Sequence, residues 1–167
     1  MATTESLREE IVGLLPRLRR FARTLTRNPH DADDVVQIAV ERALARADQL
    51  RPDARLSSWL FGILRNAWID EVRSRGRESR TFAPEELGEN VGDRSAGVNE
   101  DMLAVQDAIE RLPDDQRMAI GLVLVEGLSY KEAALIMDVP IGTLTSRLAR
   151  GRETLQSLLA DTTGAVP

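Results

Sequence analysis

From Leu7 onward the apolar residues return every three or four positions, and no stretch alternates apolar and polar in twos. That period belongs to helices with one buried face, and it excludes a sheet as the organising element. The first such stretch covers Ser6–Thr26, with Leu7, Ile11, Leu14, Leu15, Leu18, Phe21 and Leu25 at helical spacing, and Asn28-Pro29 breaks it. A second helix is expected from Asp31 to Leu50. Asp31, Asp33 and Asp34 suit its first turn, and Val36, Val40, Ala43, Leu44 and Ala47 form its apolar stripe. Arg51-Pro52-Asp53 ends it. A third is expected over Ser57–Arg75, with Trp59, Leu60, Ile63, Leu64, Ala67 and Trp68 on its apolar side and Gly76 behind it.

The periodicity stops once. Residues 79–99 carry Gly, Pro, Ser and Asn without sustained spacing and read as a linker. Helical spacing then resumes in four pieces: Glu100–Leu112, Pro113–Glu126, Ser129–Met137 and Ile141–Leu159, with a frayed tail over Ala160–Pro167. The expected fold is all-α, with two small helical domains at 1–78 and 100–162 joined by the 79–99 linker.

Composition narrows the function. With 43% hydrophobic residues but only 4% aromatic, the core must be built from Leu, Val, Ile and Ala. The absence of cysteine removes disulfides, thiolate-bound zinc and a thiol nucleophile. A single histidine, His30, cannot supply the paired Glu-x-x-His ligands of a carboxylate-metal helical bundle. His30 is left as the one candidate for a histidine base, a hydrolase is not expected, and neither is a cofactor or metal site. No apolar run approaches the length of a membrane span, and the acidic start MATTESLREE lacks a signal-peptide apolar region, so a cytoplasmic protein is expected.

The net charge of −5 conceals an uneven distribution. Residues 1–80 carry 15 basic and 12 acidic side chains, whereas residues 81–113 carry 2 and 8. Arg73, Arg75, Arg77 and Arg80 cluster against Glu78 alone, and Arg147, Arg150 and Arg152 meet no acid after Asp138 until Glu153. Local basic patches bind nucleic acid even on an acidic chain, because the field near the patch governs contact. A GC-rich genome explains an arginine-rich composition equally well.

The second domain carries a recognisable arrangement. Ser129 followed by Glu132 is a capping box; Asp138–Gly142 is a short turn; a longer helix follows. A short helix, a tight turn and a second helix with polar residues near its start is the helix-turn-helix pattern. Ile141, Leu144, Leu148 and Leu155 share the side expected to dock on the domain, which leaves Thr143, Ser146, Arg147 and Arg150 to enter a major groove. In the first domain, Asp34, Gln37 and Glu41 project together from the second helix, away from its apolar stripe. Asn66, Asp70 and Arg73 follow one another along the third. Its two tryptophans, among aliphatic neighbours, read as core residues.

Taken together, DADDVVQ, SWLFGILRNAWIDEVR and RLPDDQR…LSYKEAALIMDVPIGTLTSRLARGRETL resemble a bacterial RNA polymerase sigma factor of the extracytoplasmic-function (ECF) type, over about residues 7–160. The start, LREE…LPRLRRFA, resembles the alphaproteobacterial general-stress subgroup. The resemblance implies sigma-2 and sigma-4 domains and a set of partners: core RNA polymerase (through its β′ clamp helices and β flap), promoter DNA and an anti-sigma factor. It implies that Asp34, Gln37 and Glu41 face the clamp helices. The loop Gln49–Leu56 together with Asn66, Asp70 and Arg73 would engage the −10 element. Thr143, Ser146, Arg147 and Arg150 would read the −35 element. The sequence departs from the family at Ile38, where an acid is usual, at Glu41, where an apolar residue is usual, and at Thr145, where a basic residue is frequent.

One alternative stays open: a two-domain helix-turn-helix regulator that does not bind core polymerase. Its output helix would look the same, but it gives no role to DADDVVQ or SWLFGILRN.

Overall fold

The computed structural model describes residues 3–81 and 99–163, all of it helix and short connections, with no strand among the described residues. They fall into two compact units.

The first unit is built on three helices: α1 (Thr4–Leu25), α2 (Pro29–Ala45) and α3 (Leu56–Thr81). Helix α1 runs through Pro16 without ending. Proline removes one backbone donor and so frees the carbonyl of Val12; Val12 is 63% exposed, on the side where water can take up that carbonyl. Helix α2 starts two residues earlier than expected, because Asn28 is its cap and not merely a breaker. The Asn28 Oδ1 accepts the His30 N–H at 2.8 Å, and Pro29 occupies the first turn, where its missing donor costs nothing. It also stops sooner, at Ala45, and only a 3₁₀ turn over Ala47–Gln49 fills the rest of the expected span.

Its buried stripe is Ala32, Val35, Val36, Ala39 and Ala43; Val40 is half-buried and Leu44 exposed. Three alanines on that face let α3 lie close, and Leu60, Phe61, Ile63, Leu64, Ala67 and Trp68 of α3 are buried. Phe61, which the spacing left out, meets Phe21 of α1 edge-to-face with centroids 5.3 Å apart, and the Arg17 guanidinium lies 5.3 Å from the same ring. Helix α3 continues past Gly76 to Thr81, so residues 79–81 at the start of the expected linker are helical. A single exposed glycine costs a helix only about 1 kcal/mol, too little to end it. The remaining linker residues, 82–98, lie outside the described residues.

The second unit holds α4 (Glu100–Glu110), α5 (Asp114–Ile120), a π-helical turn (Gly121–Val125), α6 (Tyr130–Met137) and α7 (Ile141–Thr163). Asn99 caps α4 by accepting the Asp101 N–H at 3.2 Å. Arg117, buried to 3% exposure, donates to the carbonyl of Leu112 at 3.0 Å and pairs with Asp114 at 2.6 Å, bridging the turn from α4 to α5. The single helix expected over Pro113–Glu126 divides because its last turn widens: the Glu126 N–H reaches back to the Gly121 carbonyl at 2.9 Å. Gly127 follows at φ 70°, a backbone angle suited to glycine.

The capping box forms as read. The Glu132 N–H donates to Ser129 Oγ at 3.1 Å, and the Ser129 N–H to Glu132 Oε2 at 3.4 Å. Asp138 ends α6 in the left-handed conformation, φ 54°, which a short polar side chain tolerates. Helix α7 extends four residues beyond Leu159, to Thr163, so the described part of the tail is helical.

Candidate nucleic-acid interface

Helix α7 shows two faces. Leu144 and Leu148 are 0% and 1% exposed and dock it on its unit. Ser146 and Arg150 are exposed; Thr143 and Arg147 are half-buried at the edge of the polar face. Ile141, expected on the docked side, is instead 53% exposed. It opens the first turn of α7. Leu155 is half-buried. The Thr145 hydroxyl donates to the carbonyl of Ile141 at 2.8 Å, so its bond is made within the helix.

The basic face is not free of acid. Asp115 of α5 brings Oδ2 to 3.4 Å from Arg147 Nε. The two residues are distant in sequence, which is why spacing along α7 alone could not show it.

In the first unit, Asp34, Gln37 and Glu41 are all exposed on one side of α2, as their spacing required. Gln37 Nε2 donates to Glu41 Oε1 at 3.3 Å, and Asp34 Oδ1 lies 3.7 Å from His30 Nδ1. The same side opens on a shallow groove between α1 and α2. Leu15, Arg19 and Arg23 line one wall; Asp33, Val36, Gln37, Val40 and Glu41 line the other. The helical spacing of α1 marks only its apolar positions, so it does not single out these two arginines.

On α3, Asn66, Asp70 and Arg73 lie on the exposed side together. Asn66 Oδ1 accepts from Arg65 Nη1 at 3.1 Å. The Asp70 carboxylate is engaged by Arg42 of α2 at 2.9 Å, a partner 28 residues away that no local pattern announced. A second ion pair joins the same two helices: Arg75 Nη2 stands 2.8 Å from Asp31 Oδ1. The hydrogen bond from Arg75 holds the Asp31 carboxyl below its ordinary range, with burial opposing and the guanidinium charge assisting. Asp31 raises Arg75 in turn. The residues Arg51–Arg55 before α3 are exposed. Trp68 is buried at 7% exposure and Trp59 half-buried, so both contribute to packing. Among the described residues no group of carboxylates and histidine could hold a metal ion, and no helix is long and apolar enough to cross a membrane.

Residues 11–78 match the Sigma-70 region 2 family and residues 102–155 the Sigma-70, region 4 family. The chain is 40% identical over 163 residues to the ECF RNA polymerase sigma factor EcfG of Rhodopseudomonas palustris, covering 95% of this chain and 88% of that protein. It is 42% identical over 142 residues to the ECF RNA polymerase sigma factor SigM of Mycobacterium tuberculosis, covering 85% of this chain and 71% of that one. The sigma factor RpoE, crystallised with the anti-sigma factor NepR from Bartonella quintana, superposes with a TM-score of 0.84 at 35% identity, covering 92% of this chain and 96% of that chain. The two units, in this order and with the helix-turn-helix in the second, are those of a sigma factor, and the chain belongs to the ECF RNA polymerase sigma factors.

Proposed function

We propose the division of labour by which this sigma factor directs core RNA polymerase to promoters. Helix α7 enters the major groove of the −35 element, with Arg147 and Arg150 as base or phosphate ligands and Thr143 and Ser146 as smaller donors. The observation that carries this is the contrast along α7: Leu144 and Leu148 are fully docked while Ser146 and Arg150 are exposed. Asn66, Asp70 and Arg73, with the loop Gln49–Leu56, form the surface for the −10 element; within it Asp70 also holds Arg42. Asp34, Gln37 and Glu41 meet the β′ clamp helices, and the β flap binds the second unit. The functional domains are residues 1–78 and 100–162, joined by 79–99.

The protein makes and breaks no covalent bond; catalysis belongs to the polymerase. It works in the cytoplasm, where the polymerase is. Likeness to EcfG and to the RpoE of the NepR complex supports the general-stress subgroup and an anti-sigma partner.

The test is transcription from a panel of promoters by core polymerase with and without this chain. Stimulation confined to a subset of promoters is the expected result. No stimulation together with no binding to core overturns the reading.

A further inference from the structure

We propose that Asp115 is a specificity-determining residue for DNA reading, acting through Arg147. The inference rests on the reading of α7 as the −35 helix. Asp115 stands in the first turn of α5, not on the helix-turn-helix itself. One of its carboxylate oxygens, Oδ1, accepts the backbone N–H of Gln116 at 2.9 Å, and the other, Oδ2, faces Arg147 Nε at 3.4 Å. The carboxylate is thus fixed on its own helix and presents one oxygen to the guanidinium.

The approach of the two helices makes this pairing possible. Gly151 lies one turn beyond Arg147 on the same face of α7. A Cβ at that position would stand 3.0 Å from Ile120 Cγ1 and 3.5 Å from Gln116 Cβ. Without a side chain there, α5 comes near enough for Asp115 to reach Arg147.

Two consequences follow from the chemistry. A guanidinium whose Nε faces a carboxylate keeps its terminal Nη pair for another acceptor and loses freedom to swing between partners. Arg147 is thereby held to one presentation towards a base edge. Asp115 also places a negative charge beside a surface that approaches phosphates, and this weakens the sequence-independent share of binding. Both effects raise the ratio of specific to non-specific binding.

The test uses the full chain assembled with core polymerase and a pool of duplexes randomised over the −35 region, with the bound fraction sequenced. Arg147→Ala should erase the preference at a particular base pair. Asp115→Asn should lower the preference at that same base pair by roughly threefold or more, and should tighten binding to a competitor duplex of unrelated sequence. A simple loss of packing would not tighten it. In the Arg147→Ala background, Asp115→Asn should leave the preference unchanged. Asp115 is half exposed and asparagine keeps an oxygen for the Gln116 N–H, so the fold should survive; circular dichroism checks it. An Asp115→Asn profile equal to that of the unaltered chain, or one flattened evenly at all positions, overturns this inference alone. An unaltered chain with no preference anywhere in the −35 region overturns the reading of α7 and this inference with it.

Discussion

Arg75, close to the end of α3, holds the carboxylate of Asp31 in the first turn of α2 at 2.8 Å, across 44 residues of chain. With Arg42 and Asp70 it makes two ion pairs between the same helices. The Asp31 carboxyl titrates below its ordinary value of 3.8 in the folded protein. A lowered folded value stabilises the protein above the unfolded value, and that contribution disappears as pH falls through the folded one. Asp31→Asn should therefore lower stability at neutral pH, by less than about 1 kcal/mol because Arg75 is largely exposed and solvent screens the pair. The gap between the two proteins should shrink once pH drops below 3.8. Denaturant melts across the acid range measure it; a gap undiminished in acid would mean the ionised carboxylate is not its source.

Ser129 and Glu132 satisfy each other's backbone donors at the start of α6. Ser129→Ala should cost about 0.5–2 kcal/mol. The loss should appear in the melt of the second unit, and hydrogen exchange should quicken at the N–H of Glu132, which loses its acceptor.

Two glycines inside helices should answer alanine in opposite directions. At Gly151 a methyl would stand 3.0 Å from Ile120 Cγ1, in a side chain that is 1% exposed and must shift to admit it. Gly151→Ala should destabilise by about 1–3 kcal/mol despite the better helix propensity of alanine. At Gly76 no atom lies within 4 Å of the added carbon. Gly76→Ala should stabilise α3 by up to about 1 kcal/mol. Thermal melts of the two variants decide it.

Leu148 and Arg150, two residues apart on α7, separate packing from reading. Leu148 is 1% exposed, and Leu148→Ala should cost about 2–5 kcal/mol of stability. Arg150→Ala should leave the melt in place and weaken binding to the −35 duplex by about 1–3 kcal/mol for a bidentate contact to guanine. A phosphate contact would instead weaken all duplexes alike and lower the salt slope by about one unit. Full, selective binding by the Arg147→Ala, Arg150→Ala double variant would remove this face as the reader.

Replacing Asp34 and Gln37 with alanine should weaken binding to core polymerase by about 1–2 kcal/mol, roughly tenfold. Both side chains are exposed, so the circular dichroism spectrum should not change. Loss of helix content would assign them a structural role instead.

The sequence by itself determined the helices, the capping box and the exposed sides of α2 and α3. Those features depend on neighbours within a few residues: the 3.6-residue period puts Asp34, Gln37 and Glu41 together whatever surrounds them, and Ser129 finds Glu132 within one turn. It also carried the family, because three motifs stood in the right order. Tertiary structure decided whatever depends on how one helix approaches another. Phe61 entered the core because Phe21 of α1 stands beside it. Asp70 gained Arg42, and Arg147 gained Asp115, from helices far away in sequence. Ile141 stayed exposed although its spacing matched Leu144, because burial needs a partner surface and not only a period. Charges pair across whatever gap packing leaves, and the width of that gap at α7 is governed by Gly151 against Ile120, two residues whose meeting no local pattern in the sequence announces.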